Sequence, residues 1–316
     1  MNERTTEMSN IPSSLPGRGM SIPSTTSTQT RSAVSRPHLA STLSLAGIYL
    51  FLIIMTVFAL FPLYYVLQAS LAGDQNLYTT DLHLIPTRPT LDNYIYALTK
   101  LPLLAWIANT FIVCGATTLI GVICSMSGAY ALSRFRFRGR ELSLTLLLTL
   151  QAFPALLALP AYYLLLDALG LINNLLGLIL VYAGGQLVFG CWNIKGYFDT
   201  IPVELEQAAM IDGASHLQAF LRVTLPLSIP ALIASAMFIF LAGWNEFAIA
   251  NLVLNANDTG SNLTFILGVY SLQSDFRTPW GYFAASSVLV TLPLLLLFLY
   301  AQRFFQSGLT IGSVKG

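Results

Sequence analysis

The chain has 316 residues, 55% of them hydrophobic and only 9% charged, about a third of the roughly 25% charged content of ordinary globular domains, which excludes a water-soluble protein. Fifteen Lys and Arg against fourteen Asp and Glu leave a formal net charge of +1, so no general basic field exists to attract nucleic acid. Cys114, Cys124 and Cys191 lie in apolar surroundings without C-x-x-C spacing, and His38, His83 and His216 lie outside the apolar runs, which leaves no disulfide framework and no histidine-held metal in the membrane, with the cysteines expected to pack as small hydrophobes.

Residues 1–40 are rich in Ser, Thr and Pro and carry too little apolar surface to offset the entropy of ordering, so a disordered tail is expected. The apolar run that follows starts too late and is too long for a cleavable signal peptide. A helix needs about 20 mostly apolar residues to cross a bilayer core of roughly 30 Å. Six such runs can be drawn, about Leu43 to Ala69, Leu103 to Leu132, Leu142 to Leu166, Leu175 to Ile194, Pro226 to Ala250 and Tyr282 to Phe305. The expected fold is therefore an all-α, polytopic membrane protein with a permease domain over 41–305 and a short tail over 306–316. Pro62, Pro154, Pro160 and Pro293 lie inside the spans and are expected to kink them without breaking them.

Twelve of the fifteen basic residues fall on one side of this topology. Arg4, Arg18, Arg31 and Arg36 precede span one; Arg134, Arg136, Arg138 and Arg140 follow span two; Lys195 and Arg222 flank the fourth connection; Arg303 and Lys315 end the chain. Cytoplasmic loops carry such an excess, so both termini are expected in the cytoplasm of a multi-pass inner-membrane protein.

The longest cytoplasmic connection, 195–225, has an internal design. Pro202 suits a first helical turn, Glu204 and Glu206 favour the positive end of the helix dipole, and Gly213 suits a left-handed stop. Leu205, Ala208, Ala209 and Asp212 fall at i, i+3, i+4 and i+7, one stripe whose two alanines allow close approach of another surface. Ser215 and Gln218 form a capping box for a second helix, expected to end at Leu225-Pro226. The spacing predicts a cytoplasmic helix-turn-helix.

Gln207-Ala208-Ala209-Met210-Ile211-Asp212-Gly213-Ala214, with nine residues between Gly213 and Val223-Thr224-Leu225-Pro226, resembles the E-A-A-x-x-x-G-x9-I-x-L-P loop of importer-type ABC permeases. Asn109-Thr110, Gly128-Ala129-Tyr130-Ala131, Arg134 to Gly139, Ile194 to Phe198 and the terminal Gly308-Leu309-Thr310 and Val314-Lys315-Gly316 match the same family. From about residue 43 the chain is similar to MalG-type permeases of maltose and maltodextrin importers. The resemblance implies that Glu206, Gln207, Ala208, Ala209, Asp212, Gly213, Ala214, Leu225 and Pro226 couple to an ATPase subunit. It also implies that Gln306, Gly308, Leu309, Thr310, Val314, Lys315 and Gly316 touch the ATPase dimer. The motif's opening acid is Gln207 here, so a pair with a basic group on the ATPase is either lost or supplied by Glu206, about 100° around the helix.

No G-x-x-x-x-G-K-[ST] string is present, so the chain is expected to bind no cofactor and to have no catalytic residue, with ATP and Mg held by partners. The implied partners are two ATPase subunits, a second, MalF-type permease, an extracytoplasmic solute-binding protein and membrane lipid. Gln151, Gln186, Asn245 and Glu246 are the candidates for lining the path or its outer mouth, the two glutamines alternatively bonding across helices and Glu246 alternatively sitting at the interface. The expected function is import of a maltose-like oligosaccharide by alternating access. The competing reading is an ion-coupled secondary sugar transporter working through Glu246.

Overall fold

The computed structural model describes residues 39–73, 85–86, 88–254, 260–273 and 278–312, with the backbone alone described for 39–44 and 305–312. The expected N-terminal tail lies outside the described residues, apart from its last two positions. The chain divides into two units, Met1–Thr56 and Val57–Gly316. The first contributes, among the described residues, the leading half of one helix, and all other described elements belong to the second. Secondary structure among the described residues is helical, apart from a single antiparallel bridge between Ala72 and Pro89.

Among the described residues, five helical stretches are long and apolar enough to cross a membrane: Leu45–Leu71, Leu103–Arg134, Leu175–Phe198, His216–Trp244 and Trp280–Phe304. In chain order the helices are α1 (Leu39–Leu71), α2 (Asp92–Thr99), α3 (Leu103–Arg134), α4 (Arg140–Gln151), α5 (Leu159–Ala168), α6 (Leu175–Phe198), α7 (Val203–Ile211), α8 (His216–Ala219), α9 (Leu225–Trp244), α10 (Ala248–Val253), α11 (Phe265–Tyr270) and α12 (Trp280–Gly312).

Three expectations about the spans need correction. The third span is not one kinked helix, because α4 and the stretch Ala155–Ala168 meet at a 90° bend. Pro154 takes an extended ψ of 115° and, as proline does, disfavours helical backbone at the residue before it. Pro62 and Pro293 lie within unbroken helices, and Pro160 sits in the first turn of α5, where no donor is needed. The second correction concerns span five. It starts at His216, because α8 runs through a π-helical turn, Phe220–Thr224, straight into α9, and it stops at Trp244. The sixth helix also outlasts its expected end, its backbone staying helical through Gly312.

The centre of the second unit is α3, which packs along α6 and α9. In lipid the association of helices depends on close packing of small residues. Gly190 of α6 meets this need, since any side chain there would collide with Ser125 of α3. Two clusters fill the interior. One surrounds Trp106, Leu178, Tyr182, Phe240 and Trp244 near α2, α10 and α11. The other joins Ala129, Leu132, Cys191, Ile194, Phe198 and Phe220 near α7 and α8. Cys114 and Cys191 are buried, whereas Cys124 is exposed and so does not pack as expected.

Candidate functional site

The loop between the fourth and fifth spans is built by local rules. Helix α6 ends at Phe198, where Lys195 pairs with Asp199 one turn on and Ser133 of α3 donates to the same carboxylate at 2.6 Å. Pro202 then precedes α7, with Glu204 and Glu206 in the first turn. The far end of α7 closes in a Schellman turn. The Gly213 N–H donates to the Met210 carbonyl and the Ala214 N–H to the Ala209 carbonyl, both at 3.0 Å, with Gly213 at φ 92°. The expected capping box follows, the Ser215 N–H donating to Gln218 Oε1 and the Gln218 N–H to Ser215 Oγ. The second helix does not end at Leu225-Pro226, because the π turn carries the chain on into α9. Pro226 sits in the first turn of that segment.

The expected stripe faces outward. Leu205, Gln207, Ala208, Asp212 and Gly213 are exposed, Ala209, Ala214 and Leu225 are half-buried, and Pro226 is exposed. Sequence reasoning missed the apolar residues beside it, Val203, Ile211, Leu217 and Leu221, of which Ile211 is 86% exposed. Their type signals a contact surface, but only the fold shows that they are exposed.

Glu206 behaves otherwise. Its side chain is 5% exposed and paired with the 6% exposed Arg134 at 2.6 Å, so it is turned inward and not free to replace the acid absent at Gln207. Its Oε1 accepts from Arg134 Nε and from the Thr224 hydroxyl, and its Oε2 accepts from the Tyr130 hydroxyl at 2.9 Å. Burial alone would raise the Glu206 pKa, but the bonds from Thr224, Arg134 and Tyr130 and the guanidinium charge hold it below the usual glutamate value. Asp199 behaves likewise, burial being outweighed by bonds from Lys195 and Ser133.

The remaining candidates are scattered. Glu246 lies beyond α9 and caps α10, accepting from the Ile249 and Ala250 N–H groups and from the Tyr182 hydroxyl at 2.6 Å. Asn245 is exposed and donates to the Leu241 carbonyl of its own helix. Gln151 is exposed on the last residue of α4, so it is not an enclosed amide bonding across helices, and Gln186 is half-buried on α6. Gln306, Gly308, Leu309 and Thr310 lie on the helical backbone of α12, while Val314, Lys315 and Gly316 lie outside the described residues. An open groove of about 480 Å³ between α6 and α9 was not foreseen. It is lined by Trp192, Asn193, Tyr197, Thr200 and Ala231, and its Trp192 indole N–H is buried without a hydrogen-bond partner. Among the described residues no group of three or more His, Cys, Asp or Glu is placed to hold a metal ion.

The chain is similar to known transport proteins in sequence and in fold. The chain is 40% identical over 252 residues to the maltose/maltodextrin transport system permease protein MalG of Vibrio vulnificus, covering 74% of this chain and 84% of the relative. It is 36% identical over 272 residues to the galactooligosaccharides transport system permease protein GanQ of Bacillus subtilis, covering 85% and 94%. Its fold matches a chain of a bacterial ABC transporter involved in the import of the acidic polysaccharide alginate, with a TM-score of 0.73 at 22% identity, covering 84% of this chain and 98% of that one. The family model for the inner membrane component of binding-protein-dependent transport systems matches residues 117–311, a stretch that runs from the middle of α3 through the α7–α8 loop to the end of α12. With five apolar membrane-length helices and one sharply bent apolar pair among the described residues, a helix-glycine-helix loop and this match over most of its length, the chain belongs to the family of binding-protein-dependent transport system inner membrane components.

Proposed function

We propose that the chain forms one half of the membrane path of an ATP-driven importer of a maltose- or maltodextrin-like oligosaccharide. A MalF-type permease supplies the other half, two copies of an ATPase subunit hold ATP and Mg, and an extracytoplasmic binding protein delivers the sugar. Both termini lie in the cytoplasm, with the α7–α8 loop on the same side. The observation that carries the reading is that loop, which is fastened inward by Glu206 and leaves Val203, Leu205, Ile211, Leu217 and Leu221 exposed. Exposed apolar side chains on a short helical loop of this kind fit a groove on a partner protein. We assign the end of α12 and the residues after it, through Gly316, to a second contact with the ATPase.

The cargo follows from the relatives, which are named for maltose and maltodextrin and for galactooligosaccharides. The groove at Trp192, Asn193, Tyr197 and Thr200 offers aromatic faces beside amide and hydroxyl groups, the combination that binds sugar rings. Gln186 and Asn245 remain candidates for lining the path. The ion-coupled alternative has lost its acid, because the Glu246 carboxylate is taken up by Tyr182 and two backbone amides. The test is to tag the chain, extract it gently from its native membrane and identify what co-purifies in stoichiometric amounts. An ATPase together with a second permease is the expected result. Recovery of the chain alone, from an extract that preserves other complexes, would overturn the reading.

A further inference from the structure

Helix α7 has nine residues, and its one buried side chain is a carboxylate, that of Glu206. Helices on a protein surface are ordinarily held by an apolar stripe, yet here Val203, Leu205 and Ile211 are 43%, 45% and 86% exposed. What holds α7 instead is a polar joint. Tyr130 and Arg134, both in the last two turns of α3, donate to Glu206, and so does Thr224 of the π turn at the base of α9. Arg134 also donates to the Ile201 carbonyl just before α7 and to the Ser133 hydroxyl, which in turn donates to Asp199 at the end of α6. The Tyr130 ring packs against Phe220 at 4.5 Å and meets Phe198 edge-on, which shields the joint from water.

The geometry points to a mechanical role. We infer that Glu206 is the positioning residue that makes α7 move as one body with the ends of α3 and α9. This rests on the reading of the α7–α8 loop as the ATPase contact. An apolar face can slide along its neighbour with little loss, whereas hydrogen bonds fix direction as well as distance. A buried charge that loses its partner is strongly disfavoured, so the joint has no half-open state to yield into. The π turn belongs to the device. Such turns are rare and concentrate at functional sites, and this one sets the fully buried Thr224 hydroxyl 2.6 Å from Glu206. Displacement of α7 by a partner is therefore passed directly to two spans.

The experiment uses the whole transporter, purified with its ATPase, companion permease and binding protein and reconstituted in proteoliposomes. Sugar carried per ATP hydrolysed is measured for Glu206→Gln, Thr224→Val and Tyr130→Phe. A second readout is the distance distribution between spin labels at positions 137 and 204, both exposed, with Cys124 replaced by Ser. We expect Glu206→Gln to keep its ATPase bound but to carry at least about fivefold less sugar per ATP, the lower end of ordinary coupling energies, with a broadened label distance. Thr224→Val and Tyr130→Phe, which each remove one hydroxyl, should lie between, and they carry the test if Glu206→Gln does not fold. An unchanged ratio and an unbroadened distance in the variants that fold would overturn the inference. Loss of ATPase binding without broadening would also overturn it, since Glu206 would then be a direct contact. Failure of the unsubstituted chain to assemble with an ATPase would instead sink the reading beneath it.

Discussion

The Glu206 carboxylate accepts hydrogen bonds from Tyr130, Arg134 and Thr224, and its pH behaviour follows from them. Its pKa in the folded protein lies below the usual value of 4.5, because those bonds outweigh the cost of burial. A carboxyl depressed in this way stabilises the fold fully above that usual value and loses its contribution as pH falls through the lower, folded-state value. Amide exchange in α7 should therefore be insensitive to this group from neutral pH down to 4.5 and accelerate only below it. In the Glu206→Gln variant that acid-dependent loss should vanish, and the joint should be weaker than in the native chain by about 3–5 kcal/mol above pH 4.5, with the difference shrinking as pH falls through the folded-state value. Gly213 makes a second prediction. At φ 92° a β-branched side chain is strained by about 1–3 kcal/mol, so Gly213→Val should open the Schellman turn and lower sugar uptake in well-expressed protein. Gly213→Asn, which tolerates that backbone, should retain more of it. Normal uptake by Gly213→Val would count against the turn's role.

At the scale of elements, α3 and α6 approach each other closely at Gly190. Gly190→Val would drive a side chain into Ser125 and should cost about 1–3 kcal/mol, as overpacking does, seen as a lower melting temperature in detergent. Ser125→Gly in the same chain should recover part of the loss, and no recovery would show that the strain lies elsewhere. The elements also show why some features were legible in the sequence and others were not. The helix-glycine-helix loop was readable because its Schellman turn and capping box are made by residues within five positions of one another. The partner of Glu206 was not, because Arg134 lies 72 residues away and nothing in local spacing selects it from Arg136 or Arg138. Pro62 and Pro154 look alike in an apolar run, yet one sits in a continuous helix and the other at a 90° bend. That difference is decided by what packs around the freed backbone groups, which local sequence does not record. The end of span five was misjudged for a related reason. Asn245, Glu246 and Phe247 follow an apolar run without a helix-breaking residue, and α9 ends at Trp244 where Glu246 turns to cap α10.

For the whole molecule, the arrangement is one of two anchored ends. Near α10 and α11, the Trp106 indole N–H donates to the Gly260 carbonyl, Asn109 donates to the Ser261 and Leu263 carbonyls, and the Phe265 N–H donates to Thr110. Near α7, the Glu206 joint ties three elements together. The long helix α3 takes part in both, which makes it the natural lever between the ATPase side and the sugar side under the proposed function. The groove at Trp192 lies between α6 and α9. If its indole stacks on a sugar ring, Trp192→Ala should raise the sugar concentration for half-maximal uptake severalfold, the equivalent of about 0.5–1.5 kcal/mol for one aromatic contact. An unchanged value would remove that groove from the path.

Under the proposed function this chain passes sugar with energy from ATP and not from an ion gradient. The direct measurement is maltose or maltodextrin uptake into proteoliposomes that hold the complete transporter, with binding protein outside and ATP inside. It is made with and without a proton-collapsing ionophore at constant ATP, for the native chain and for Glu246→Gln. Uptake should require ATP, ignore the ionophore and survive the Glu246 substitution at a reduced or equal rate. Uptake that proceeds without ATP, or that collapses with the proton gradient while ATP is held constant, would contradict it.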